Sequence, residues 1–150
     1  MPDKERPLNK RGRKDAPRMG KLLRRYEFQP DLMVTSPAQR ALSTAQLIAA
    51  ELGYQEPLQV EKGIYESKVS WIMNMIRKFP ENRERVMIFG HNPTFEALIE
   101  QLLEMDGSVV LPTCGMACLE MPLYSWRDAT PGAFNLKWFL IPRLVSGNPA

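Results

Sequence analysis

Histidine occurs once in this chain, as His91, and cysteine twice, as Cys114 and Cys118. A structural zinc site takes four such ligands at paired spacings, and the sequence offers no such set. The two cysteines stand four apart in an apolar stretch and read as small buried hydrophobes of a reducing compartment. No run approaches the ~18–20 apolar residues of a membrane span. The polar N-terminus carries no signal-peptide core. A soluble, cytoplasmic protein with no membrane association and no structural zinc site is expected.

An overall excess of one charge is also lacking, with a formal net charge of only +3, but the charge is unevenly placed. Residues 1–25 hold ten Lys/Arg against Asp3, Glu5 and Asp15, a net +7, and the remainder carries −4. Such a block is either a nucleic-acid footprint or the solvated face of a helix. "GKLLRRYEF" supplies apolar residues at helical intervals and lacks the interleaved aromatics or motif of a nucleic-acid binder, so a helix face is the expectation and nucleic acid is not expected as a partner. At 150 residues the chain reads as one domain, 1–150.

What is present is an alternation of short apolar runs and helical periods. Asn9 is placed to cap a helix over 10–15, which Pro17 is expected to kink or restart on the way to Tyr26. "DLMVTS" (31–36) reads as a strand. Pro37 then opens a helix that Gly53 is placed to stop. "PLQVEKG" (57–63) reads as a short strand, 67–79 as an amphipathic helix, and "RVMIFG" (85–90) as a strand buried on both faces. A helix over 94–105 and closing strands over 116–123 and 134–142 complete the order. Strands alternating with helices imply an α/β domain around a mostly parallel sheet.

Ligands of open parallel sheets bind outside the carboxyl ends of the strands. Two strands here end in polar residues: "TSPAQR", with Arg40 one turn into the next helix, and "GHNP", with His91 at the lip and Gly90 to let the backbone turn. A guanidinium fork and an imidazole beside free helix N–H groups suit a phosphoryl group, whose transfer is chiefly a matter of positioning and charge stabilisation. A strand-end histidine is equally read as a packing or helix-start residue. Glu66 in "GIYES" can protonate a leaving oxygen if burial raises its pKa, or can simply complement a helix dipole.

"ERPLNKRG", "VTSPAQRALSTA", "GIYES", "VMIFGHNP" and "LPTCGMACLEM" occur in the order and spacing of the histidine phosphatase superfamily. The chain resembles its SixA-type phosphohistidine phosphatases over nearly its whole length. The resemblance implies a three-layer α/β/α, phosphoglycerate mutase-like fold that needs no cofactor. It implies that Arg40 grips the phosphoryl group, that His91 stabilises the transferring phosphate, that Glu66 matches the acid of many members, and that Arg6 reaches the pocket mouth. Its implied substrates are phosphohistidine on a protein or a small phosphomonoester. Mutase activity, which needs a closed site, is not expected.

One departure is large. The superfamily's nucleophile is a different histidine, in an R-H-G or R-H-A motif at the end of the first strand, and no second histidine is present. That strand is expected upstream of "ERPLNKRG", so the domain reads as N-terminally truncated. It is expected to be central, flanked by the strands that carry Arg40 and His91. Without it the chain is expected to fold poorly or to close the gap, since each unpaired buried backbone group costs ~1–3 kcal/mol. The expected function is that of a phosphatase working through a covalent phosphohistidine, with this chain inactive alone. The alternative is a non-catalytic phosphate-binding module.

Overall fold

The computed structural model describes residues 1–122 and 125–145. The Asn9 side-chain oxygen accepts the Gly12 N–H at 2.8 Å, which satisfies one of the free amides of a helix start. Helix α1 then runs as a single element over Lys10–Arg25, with Pro17 inside it. The expected restart does not occur. Proline removes one backbone donor, but Ala16, Met19 and Leu23 are buried around it, and that packing carries the helix through.

Strand β1 (Leu32–Thr35) is buried at every position. Leu32 and Val34 join one core with Ile64, Ile72, Ile76 and Leu98, whereas Met33 joins another with Ala16, Leu23, Ala45 and Ile48. Alternate residues of a strand point to opposite faces, so helices cover both. On one face lie α1 and α2 (Gln39–Leu52); on the other lie α3 (Val69–Arg77) and α4 (Thr94–Leu103). This is the expected three-layer α/β/α architecture. Gly53 stops α2 as expected, at φ 69°, with its N–H donating to the Ala49 and Ala50 carbonyls.

β1 is the middle strand of a parallel sheet in the order β2–β1–β3, with β2 at Gln59–Val60 and β3 at Val86–Phe89. β2 is shorter than its expected range because residues 62–64 coil into a 3-10 turn that carries Ile64 into the core. β1 and β3 pair along their full length, from Leu32 opposite Val86 to Thr35 opposite Phe89. That register overturns the expectation that a further strand belongs between the strands leading to Arg40 and His91. β3 also departs from the expected burial on both faces. Only Phe89 is buried, while Val86, Met87 and Ile88 are half-buried. Among the described residues β3 ends its sheet, so its neighbours lie to one side only.

Strands β4 (Met116–Glu120) and β5 (Asn135–Leu140) form a separate antiparallel ribbon, with an irregular register at Cys118/Leu119. Of the two expected closing strands, Leu123 lies outside the described residues, and Pro142 opens the four-residue helix α5 (Pro142–Val145) instead. The ribbon shares a core with β3, since Met87, Met116 and Trp138 pack on the same cluster as Phe89, without pairing to it among the described residues. No helix among the described residues is long and apolar enough to cross a membrane.

Candidate active site

Because β1 and β3 are parallel and in register, the segments that follow them emerge side by side. The Ser36 N–H donates to the Phe89 carbonyl at 3.0 Å, which ties the two exits together. Ser36 is fully buried. Its Oγ accepts the Ala38 N–H at 3.1 Å and lies 2.7 Å from His91 Nε2. Gly90 serves this junction through space rather than through a sharp turn: its φ is not left-handed, and a Cβ there would run into the Phe95 ring.

Arg40, in the first turn of α2, points toward the N-terminal segment. Its Nη1 donates to the Asp3 carbonyl at 3.0 Å and its Nη2 to Asp3 Oδ2 at 3.2 Å. The Tyr65 hydroxyl donates to the same Oδ2 at 2.6 Å. The Tyr65 ring meets His91 edge to face, with centroids 5.5 Å apart at 87°. Ser36, His91, Tyr65, Asp3 and Arg40 thus form one connected cluster at the strand ends.

The charges in this cluster follow from its contacts. Burial, and then the Arg40 charge, hold the His91 pKa below its ordinary value, with Asp3 opposing them. The imidazole is therefore neutral near pH 7. The Tyr65 hydrogen bond, followed by Arg40, lowers the Asp3 pKa, and the bond to Asp3 raises that of Tyr65. Burial pushes the half-buried Cys114 thiol up to about 11, and burial also raises Cys118, so neither is a thiolate nucleophile. Among the described residues no group of three or more His, Cys, Asp or Glu is placed to hold a metal ion.

Of the four residues singled out from sequence, Arg40 and His91 fall in this cluster. Glu66 is exposed, with its backbone left-handed at φ 56°, on the rim of an open cleft of about 400 Å³ also lined by Gly63, Ser67, Lys68 and Trp71. The burial on which a proton-donating role depends is not there. Arg6 is exposed; its N–H donates to the Asp3 carbonyl at 3.1 Å, and its charge acts weakly on Asp3. Sequence reasoning missed Asp3, Tyr65 and the role of Ser36. The motif "TSPAQR" contained Ser36, but nothing local marks Asp3 or Tyr65.

Comparison with known proteins places this geometry. The histidine phosphatase superfamily (branch 1) profile matches residues 2–69. An uncharacterized protein of Mycobacterium tuberculosis is 29% identical over 150 residues, covering 94% of this chain and 92% of that protein. A chloroplastic protein of Arabidopsis thaliana is 27% identical, covering 93% of this chain and 69% of its own. The fold is similar to the crystal structure described as phosphohistidine phosphatase SixA from Agrobacterium tumefaciens (25% identity, TM-score 0.79, 95% of this chain and 87% of that one). It is also similar to the protein histidine phosphatase SixA complexed with tungstate (18% identity, TM-score 0.83, 95% of this chain and 88% of that one). Residues 2–69 thus carry the likeness to the histidine phosphatase superfamily, and the chain as a whole is similar to its SixA-type members. The fold is of the SixA type, phosphoglycerate mutase-like.

Proposed function

We propose that this protein acts in removing phosphate from phosphohistidine on other proteins, through a covalent phosphohistidine formed on a histidine outside these 150 residues. The observation that carries the reading is the convergence of Arg40 and a neutral His91 beside the start of α2, at the carboxyl ends of parallel strands. In that site the attacking nitrogen bonds phosphorus as the substrate's N–P bond breaks, and water then cleaves the intermediate. Arg40 and His91 carry the negative charge of the phosphoryl oxygens through both steps. A phosphoryl group reaching Arg40 competes with the Asp3 carboxylate for its N–H groups. A phosphoramidate leaving group needs little proton donation, which fits an exposed Glu66, and Arg6 meets the substrate at the mouth.

Among the described residues β3 has no strand paired on its far side, and it ends two residues before His91, which supports the location of the attacking histidine: a strand entering there brings its end to the same place. The test extends the chain upstream by a strand ending in R-H-G and follows release of phosphate from a phosphohistidine peptide. Turnover is expected only with the added histidine. Arg40→Ala or His91→Ala in that extended protein is expected to cut it by about 10²–10⁴-fold. Full activity in either variant would remove the site assignment.

The single histidine favours a second reading, a phosphate-binding module without turnover. Titration calorimetry of the 150-residue chain with the same peptide decides it, since a folded chain that binds nothing excludes the module.

A further inference from the structure

Within the cluster, the hydrogen-bonding capacity of Ser36 Oγ is fully accounted for by its surroundings. A hydroxyl has one donor site and two acceptor sites. The Ala38 N–H occupies one acceptor site at 3.1 Å. Ser36 is 0% exposed, so its hydroxyl hydrogen cannot turn to bulk water. Among the described residues the one acceptor within its reach is His91 Nε2, at 2.7 Å. Were Nε2 to carry the imidazole proton, it would donate to Oγ and leave the hydroxyl hydrogen buried without an acceptor. Native interiors avoid such orphans, and no buried side-chain N or O described in this structure lacks a partner.

We infer that Ser36 is a positioning residue that holds neutral His91 with its proton on Nδ1, so that the nitrogen not bound by the serine is an N–H donor. The direction of that donor toward a phosphoryl oxygen rests on the function proposed above; the tautomer does not. The Tyr65 ring packs against the imidazole in a T-shaped contact, while Arg40 and Asp3 bear on its charge. Ser36 acts on a different property, the atom that bears the proton. For a group that stabilises negative oxygens without being protonated, that choice decides whether it presents a donor or a lone pair.

His91 is the only histidine, so nitrogen-15 NMR of the labelled chain reports this imidazole alone. Above the pH at which His91 titrates, the expected spectrum has Nδ1 at the protonated position and Nε2 at the unprotonated one. Ser36→Ala is expected to move the population toward Nε2–H by about fivefold or more, the ratio one hydrogen bond commands, and Ser36→Thr to restore it. A wild-type spectrum showing Nε2–H overturns the inference without any variant, and so does a folded Ser36→Ala protein whose signals stay in place. Inorganic phosphate added to the wild type separates the two claims. If the tautomer is as expected but phosphate leaves the imidazole signals unmoved, Ser36 keeps its role and the phosphoryl site fails. If phosphate shifts an Nε2–H imidazole, the site stands and the serine's role falls.

Discussion

Strands β1 (LMVT) and β3 (VMIF) have nearly the same composition and face each other in register, yet β1 is buried throughout and β3 only at Phe89. What differs is position. β1 has a strand on each side and helices on both faces; β3 has β1 on one side and, among the described residues, no paired strand on the other. The lesson is that an apolar run reports a preference for burial, whereas its neighbours determine how far that preference is met.

Truncating the equivalent methionines tests this contrast most severely. Met33 is 0% exposed, and Met33→Ala is expected to cost about 2–5 kcal/mol in urea unfolding. Its pairing partner Met87 is half-buried, and Met87→Ala is expected to cost less than half as much. Equal losses would mean that the far side of β3 is covered in solution. A smaller effect is expected in native-state hydrogen exchange, where amides on the side of β3 that no described strand pairs exchange well ahead of those of β1. Equal protection would likewise show that side to be paired.

The smallest effect belongs to the residues that follow the two strands, buried Ser36 and half-buried His91. Because the folded state lowers the His91 pKa below its ordinary 6.5, the unfolded chain binds more protons as pH falls through that value. This contribution is fully present above pH 6.5 and is lost as pH drops through the folded value. Thermal unfolding of the wild type and of His91→Gln is expected to differ in slope only across that window. Parallel curves would show that the imidazole is not perturbed by folding.

Arg40 and His91 were legible as a pair because each sits in a local strand-to-helix junction, and parallel strands bring such junctions together. Asp3 and Tyr65 were not, since Asp3 reaches Arg40 across 37 residues and Tyr65 across 62. The place of Glu66 before α3 is visible in sequence, whereas its exposure is not. Pro17 does not restart the helix, because a local breaker is outweighed by the packing of Ala16, Met19 and Leu23.

The sequence by itself determined the cap at Asn9, the stop of α2 at Gly53, the alternation of strands and helices, and the presence of a single imidazole. These are signals that act within a turn or two of the chain. Tertiary structure alone decided that β1 and β3 pair directly, that β3 is left half-covered, and that Ser36 meets His91 Nε2. Each of those depends on groups brought together from more than 50 residues apart, where only pairing and packing can choose between arrangements.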